Sequence, residues 1–287
     1  MNTIHKILGA TTLLMTMGAA SASPFYIDNG VNFQPDTSIP TKVNATSTSI
    51  KNELTVKYQS STNITFGADG ILSVGDAIAT SGGLAVGNIS ENAVTSLNPG
   101  QGIFGNGFAD NGLDINWSLS FSFTDLTGTV TGFDSSVPTF PLVHYTGGTI
   151  NFLYTTDGST FNNFMDLLVT DSTSIGPNLS VTGNIDFTSV TNLDNVELFH
   201  TADGVSFYDA WLAGGVNALS FIIDQNTNPN VATFAPIFSG TDLVGANIQT
   251  NHDGSVTFAA VPEPVTLAML GLGLMGFSAF SRRKKSA

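Results

Sequence analysis

The chain has 287 residues, with 8 basic side chains, 22 acidic side chains and no cysteine. The lack of cysteine excludes disulfides, so a folded domain of this chain must be stabilised by its core. No Lys or Arg lies between Lys57 and Arg282, and nucleic-acid binding is excluded because phosphates need cations to neutralise them. The 21 phenylalanines favour a globular domain over a disordered one, since they provide apolar surface to bury.

Residues 1–22 have the pattern of a secretory signal peptide. Lys6 precedes a mostly apolar run over 7–19, and the small residues Ala20-Ser21-Ala22 follow it directly. This order predicts a signal-peptide helix that is cleaved after Ala22. Cleavage after Ser23 and an uncleaved N-terminal membrane anchor are the alternatives.

Residues 23–260 form the predicted extracytoplasmic domain. They contain three Lys and 21 acidic residues, a formal charge of −18. Such a charge favours solubility and repulsion between copies at low salt. Contact with anionic lipid or polysaccharide would need bridging divalent cations.

Alternating hydrophobicity predicts an all-β, antiparallel β-sandwich-like domain for this region. The pattern is clear over 50–59 and clearest over 114–124, where every second residue is apolar. The shared apolar face of the second segment comprises Ile115, Trp117, Leu119, Phe121 and Phe123. Weaker strand candidates are 64–66, 127–131, 149–155, 167–170, 185–188, 196–200, 219–223 and 255–259.

Four Asp-Gly pairs punctuate the predicted strands. Because Asp-Gly favours turns with positive φ, each pair predicts a tight hairpin. A short helical turn is a further candidate over 161–168. The pairs are Asp69-Gly70, Asp157-Gly158, Asp203-Gly204 and Asp253-Gly254.

The absence of recognisable catalytic motifs predicts a protein that is not an enzyme. His144, His200 and His252 are scattered and lack the spacing of a zinc site. The G-x-S-x-G motif of many hydrolases is absent. Paired carboxylates could perform glycosidase chemistry, but in so acidic a chain their abundance has no diagnostic value.

A calcium site is a weak candidate, and no other metal or cofactor is expected. Residues 65–76 can be aligned with a 12-residue calcium loop in which Asp69, Ser73 and Asp76 would supply ligands. Thr65 and Gly67 stand where carboxylates are usual. A simple turn at Asp69-Gly70 is therefore the favoured alternative.

Two tryptophans could stack on a sugar ring. Trp117 lies on the apolar face of its predicted strand and is expected in the core. Trp211 follows an Asp-Gly turn within Phe207-Tyr208-Asp209-Ala210-Trp211. Trp211 is the predicted ligand contact.

The C-terminal residues 261–287 have the order of a membrane-sorting tail. Residues 265–281 are 17 uncharged residues, which as a helix would extend about 25 Å and nearly cross a bilayer core. A basic cluster follows and predicts a cytoplasmic stop-transfer signal. A buried C-terminal core helix is the alternative. The cluster comprises Arg282, Arg283, Lys284 and Lys285.

A short motif precedes this predicted span, and it consists of Val261, Pro262, Glu263 and Pro264. Motif, span and basic cluster together resemble the PEP-CTERM sorting signal of exported proteins in polysaccharide-secreting Gram-negative bacteria. The resemblance implies that an exosortase recognises Pro262-Glu263-Pro264 and cleaves near it. The protein would then be held transiently in the inner membrane and finally reach the cell surface or the medium.

The resemblance also implies a role, because some PEP-CTERM exoproteins are associated with floc or biofilm formation. A non-enzymatic surface or extracellular-matrix protein is therefore the expected function, with exopolysaccharide as a potential partner. Two alternatives remain open: a secreted carbohydrate-binding module that uses Trp211, and a polysaccharide-active enzyme with two unassigned carboxylates.

Overall fold

The computed structural model describes residues 22–33, 42–98, 110–135, 137, 140–227 and 232–260. Within these ranges the domain is almost entirely β, as its alternating sequence predicts. One α-helix, α1 (Phe207–Gly214), and two short 3-10 turns, Leu193–Asn195 and Gly215–Asn217, interrupt the strands. The strands are β1 (Phe25–Ile27), β2 (Glu53–Thr65), β3 (Ala77–Gly83), β4 (Ala93–Asn98), β5 (Ser118–Phe133), β6 (Pro141–Gly147), β7 (Thr149–Thr155), β8 (Asn162–Ile175), β9 (Asn178–Asp186), β10 (Phe199–Thr201), β11 (Leu219–Thr227), β12 (Thr233–Ser239) and β13 (Asp242–Ala260).

In the described part of the chain, eleven strands form a single antiparallel sheet. Its order is β12-β13-β11-β9-β8-β7-β5-β3-β2-β4, with β6 paired to β5. Strand β13 also pairs with β2, so the path from β13 through β11 and β5 to β2 returns to its starting strand. The expected antiparallel all-β domain is present, but one sheet that closes on itself replaces the two facing sheets of a sandwich. Strands β1 and β10 form a separate pair.

The length of β13 makes this closure possible. One edge of the strand binds β12 and then β11, while the other edge binds β2 from Gly245 to Val256. Gly254 lies where β11 and β2 both pair with β13, and a Cβ built on it would lie 2.3 Å from the carbonyl oxygen of Asp224. The hairpin predicted at Asp253-Gly254 is therefore wrong. This glycine permits close approach of strands rather than a turn.

The other three Asp-Gly pairs do lie in turns. Their glycines have positive φ angles of 64° at Gly70, 69° at Gly158 and 88° at Gly204. However, the first two turns belong to loops longer than two residues, and the third connects β10 to α1. At these three positions, Asp-Gly correctly predicted a turn with positive φ, but not the length of the loop or the element that follows it.

The core is formed by the inward faces of the closed sheet. Trp117, Leu119, Phe121 and Phe123 are buried as predicted, but Ile115 is 74% exposed. Asp114, with a φ of 62°, belongs to a turn, so β5 begins only at Ser118. The expected position of Ile115 on the same apolar face is therefore wrong, because the alternating pattern began before the strand did.

The prediction of a short helical turn is also wrong. Residues 161–168, predicted as a helical turn, lie almost entirely within β8. The α-helix forms instead at Phe207–Gly214, where the Ser206 side chain accepts a hydrogen bond from the Asp209 amide and caps the first turn.

The predicted signal peptide (1–22) lies outside the described residues apart from Ala22, and the predicted span (265–281) lies outside them entirely. No helix in the part of the chain that the structure describes is long and apolar enough to cross a membrane.

Candidate functional site

The two ends of the folded domain lie side by side. The Ser23 amide donates a hydrogen bond to the Phe258 carbonyl at 2.7 Å, and the Ala260 amide donates to Ser23 Oγ at 3.2 Å. Leu219, the first residue of β11, pairs with Ala260. We call this region the tail end, defined by Ser23, Leu219 and Ala260. The chain therefore enters and leaves the folded domain at one place.

Strands β1 and β10 reinforce the tail end. Phe25 pairs with Thr201 and exchanges two backbone hydrogen bonds with Lys51, at 2.8 and 2.6 Å. Beneath them the Lys51 ammonium forms an ion pair with Asp110, and both residues are buried. This pair gave no signal in the sequence, since its members are 59 positions apart and belong to no motif.

Helix α1 covers the same end of the core. Phe207 is buried and packs its ring 5.4 Å from that of Phe258, near the end of β13. After α1, the turn Gly215–Asn217 leads directly into β11. The helix is therefore fixed beside the point where β13 ends.

The structure places Trp211, the predicted ligand contact, on this helix. Its side chain is half-buried and its ring lies 5.9 Å from the nearly parallel ring of Tyr208, at an interplanar angle of 18°. The indole N–H donates to Asp186 Oδ1 at 3.1 Å. The Tyr208–Trp211 pair packs against the buried ring of Phe187, at 5.4 and 5.8 Å respectively. Trp211 thus belongs to an aromatic cluster with one acidic neighbour, which is a chemistry that a sugar could use.

The opposite end of the domain, here the outer end, consists of the β2–β3 loop (66–76) and the adjoining ends of β12 and β13 with the turn between them. The two segments touch, because the Phe66 amide donates to the Val244 carbonyl at 3.0 Å. Exposed apolar side chains concentrate here, two of them in the loop and three at the strand ends. They are Ile71, Val74, Phe238, Leu243 and Val244.

The calcium-loop candidates Asp69, Ser73 and Asp76 do come together in this loop. Asp76 accepts hydrogen bonds from the amides of Gly67 and Ser73 at 2.9 and 2.8 Å, and Ser73 Oγ donates to Asp69 at 2.9 Å. These donors already satisfy carboxylate oxygens, so the loop is closed by its own hydrogen bonds. Among the described residues no group of three His, Cys, Asp or Glu side chains could hold a metal ion.

His252 lies inside the closed sheet in a polar network. Its Nε2 lies 2.7 Å from Ser60 Oγ and 2.8 Å from Thr250 Oγ1, and its Nδ1 lies 2.8 Å from Thr227 Oγ1. Burial lowers the pKa of His252 to about 3, because the interior disfavours the charged imidazolium. The side chain is therefore neutral at physiological pH.

The Ser60–His252 pair has the spacing of a nucleophile and its base, but its surroundings suit that chemistry poorly. A base with a pKa near 3 is weak at neutral pH, and the group at Nδ1 is a hydroxyl rather than a carboxylate. The adjoining cavity of about 50 Å³ has room for a few water molecules only. The network is well suited to satisfying polar groups inside the sheet.

Asp166, the most buried carboxylate of the β7–β8 region, is also surrounded by hydrogen-bond donors. Asp166 accepts hydrogen bonds from Asn151 at 2.7 Å and Asn163 at 2.9 Å, and a third from Ser189. Three donors account for most of its acceptor capacity. This arrangement holds β7, β8 and the loop after β9 together.

Comparison with known proteins assigns the segment that follows β13. Residues 260–284 match the family described as the PEP-CTERM protein-sorting motif. The chain carries a PEP-CTERM sorting signal. This signal marks an exosortase substrate, which is exported and sorted to the surface. Neither a curated protein nor a solved structure matches the chain.

The PEP-CTERM match begins at Ala260, the last residue of β13. The predicted processing motif, Val261 to Pro264, thus follows the folded domain without a linker. The motif itself, the basic cluster Arg282 to Lys285 and Ala20 of the predicted signal cleavage site lie outside the described residues. Ser23, the first residue after the predicted cleavage, is hydrogen-bonded to β13.

Proposed function

We propose that this exported protein is a non-enzymatic component of the cell surface or extracellular matrix, acting in adhesion or in floc or biofilm assembly. The observation that carries the proposal is that the chain enters and leaves the folded domain at the tail end. Because the PEP-CTERM signal follows Ala260 directly and Ser23 lies beside it, processing at both chain ends leaves the closed domain intact. While the tail still holds the protein in the membrane, the outer end faces away from that membrane.

The chemistry of the outer end supports a contact role. Its exposed apolar side chains, including Phe238 at 59% and Ile71 at 61% exposure, offer area to neighbouring molecules. The charge of −18 on residues 23–260 opposes self-association at low salt. Assembly would therefore depend on salt or on divalent cations.

The interior supports a role without catalysis. His252 is kept neutral and enclosed by hydroxyl groups, and Asp166 is enclosed by amide and hydroxyl donors. A catalytic base needs a pKa near the working pH, which His252 lacks. Both side chains are buried, so neither offers a substrate open access.

The test is a comparison of native cells that express the protein, lack it, or carry Phe238→Ser with Leu243→Ser. We expect weaker flocs or biofilm in the deletion strain and in the double variant, with normal surface export of the variant. Ser120→Ala, a buried change at the other end of the sheet, is the control for general instability. Unchanged flocs in the deletion strain, or turnover of purified exopolysaccharide by the protein, would contradict the proposal.

A carbohydrate-binding module is the second candidate, favoured by the nearly parallel Tyr208–Trp211 pair beside Asp186. If this pair binds sugar, Trp211→Ala should abolish glycan-array binding of the released protein. Trp211→Phe should retain part of it, because a ring remains for stacking. Equal binding by Trp211→Ala and the unmodified protein would remove this candidate.

A further inference from the structure

Helix α1 and its flanking turns present an apolar surface at the tail end. Val205, Leu212 and Val216 are 46%, 59% and 38% exposed, and half-buried Tyr208 and Trp211 lie on the same helix. We call these five residues the α1 surface. Aliphatic side chains grouped beside Trp and Tyr form a patch of the kind that contacts another molecule or a membrane.

The α1 surface adjoins both ends of the folded chain. On one side, Val216 belongs to the turn that leads into Leu219, and Leu219 pairs with Ala260. On the other side, Val205 follows the turn in which the Ala202 amide donates to the Pro24 carbonyl at 3.0 Å. The surface therefore lies beside the point from which the sorting tail leaves.

The length of the tail limits how far this surface can lie from the membrane. Five Cα–Cα steps separate Ala260 from Val265, the first residue of the 17-residue uncharged run. Even a fully extended chain covers only about 18 Å over five steps. Before processing, the tail end must therefore lie within the headgroup region or directly above it.

We propose that the α1 surface rests on the outer leaflet of the inner membrane while the protein still carries its tail. Trp and Tyr favour the interface between lipid and water, and aliphatic side chains gain by partial burial there. Exposed Asp203 and Asp209 border the surface, and no Lys or Arg lies between Lys57 and Arg282. The surface therefore fits zwitterionic rather than anionic lipid.

This contact is independent of the proposed matrix role. It concerns the unprocessed protein, whereas adhesion concerns the processed one. It also gives the half-buried aromatic pair two successive environments, first lipid and then water. Cleavage of the tail would release the surface, because the three exposed aliphatic residues alone provide too little area for stable binding.

The test uses the full-length protein in phosphatidylcholine vesicles with and without brominated acyl chains. Flotation first confirms insertion of the tail, and tryptophan emission is then measured. We expect brominated lipid to quench Trp211. In Trp211→Phe, quenching should be lost, because the remaining Trp117 is 2% exposed and lies in the core.

Two further variants separate lipid contact from mere proximity. Leu212→Ser with Val216→Ser should reduce the quenching of Trp211, whereas Ile175→Ser, at an exposed position of the β8–β9 turn away from the tail end, should leave it unchanged. The proposal is overturned if inserted protein shows no quenching, or if the double serine variant is quenched as strongly as the unmodified protein. Quenching that requires co-reconstituted exosortase would also overturn it and would assign the surface to that enzyme.

Discussion

Lys51 and Asp110 place two opposite charges beneath the tail end, where both residues are buried. Removal of one charge leaves the other without compensation in a medium that solvates it poorly. We expect Lys51→Ala to lower the free energy of unfolding by about 3–5 kcal/mol, as measured by urea denaturation.

Lys57→Ala is the matched control, since Lys57 is partly exposed on the same chain segment. A surface substitution of this kind should change stability by less than about 0.5 kcal/mol. The double variant Lys51→Met with Asp110→Leu should recover much of the loss, because it removes both charges together. Equal destabilisation by Lys51→Ala and Lys57→Ala would show that the buried pair is unimportant.

His252 makes stability depend on pH in a defined direction. Its pKa in the folded protein is about 3, below the ordinary value of 6.5. The unfolded chain therefore binds a proton between these values that the folded protein does not bind, and stability falls as the pH decreases from about 6.5. The stabilisation attributable to the neutral imidazole is complete above pH 6.5.

The corresponding measurement is urea unfolding of the unmodified protein and of His252→Asn between pH 7 and pH 5. We expect the unmodified protein to lose about 1.4 kcal/mol per pH unit from this group once the pH is well below 6.5. The variant should lack this contribution to the slope of unfolding free energy against pH, even if it is less stable at pH 7. Parallel pH profiles for the two proteins would exclude His252 as the cause.

At the scale of elements, β13 closes the sheet. Gly254 allows β11 and β2 to approach it together, and a Cβ there would lie 2.3 Å from the Asp224 carbonyl oxygen. Gly254→Ala must therefore displace backbone, and we expect it to cost about 1–3 kcal/mol in urea unfolding. Gly132→Ala is the control, because its Cβ would meet only Leu142 Cδ1 at 3.8 Å. A smaller loss for Gly254→Ala than for Gly132→Ala would contradict this role.

Local alternation predicted strands well where the inward residues are apolar. The segment 149–155 was predicted with the bounds of β7. In contrast, β2 was predicted as two pieces, because Ser60 and Thr62 interrupt its apolar face. Ser60 belongs to the network of His252, and Thr62 Oγ1 lies 2.9 Å from Thr80 Oγ1. A strand whose inward residues are polar shows no alternation of apolar side chains, so its sequence pattern does not predict it.

Other strands lacked the usual pattern for different reasons. Apart from Ile78, strand β3 is made of small residues and threonine, and it ends with Gly82 and Gly83. Larger side chains at either glycine would collide with β5. Strand β12 is exposed along nearly all of its length, so it has no buried face to detect. Strands β1, β4 and β6 were also missed, and the predicted segment 185–188 overlaps only the last two residues of β9.

For the whole molecule, the decisive prediction is its mass after export. We expect protein recovered from the native cell surface or medium to begin at Ser23 and to end between Val261 and Pro264. Both termini would then lie beside β13, where Ser23 is hydrogen-bonded to Phe258 and Ala260. Intact-mass measurement with C-terminal peptide mapping checks this.

A chain that keeps residues 265–285 would contradict the prediction. It would indicate a permanent membrane anchor, with the α1 surface held against lipid throughout. As a control, replacement of Pro262, Glu263 and Pro264 by alanine should leave the tail attached, because these residues lie in the sorting motif that marks the chain as an exosortase substrate.

The sequence by itself determined the destination of the protein and its all-β class. Sorting signals are contiguous, and strand alternation is local, so both are visible without a structure. Only the tertiary structure decided that the sheet closes, that both chain ends meet at the tail end, and that α1 adjoins them. These features depend on pairing between residues as distant as Leu54 and Val256. Such contacts contribute free energy only when the closed sheet brings the two strands together. A pattern of neighbouring residues therefore cannot predict them.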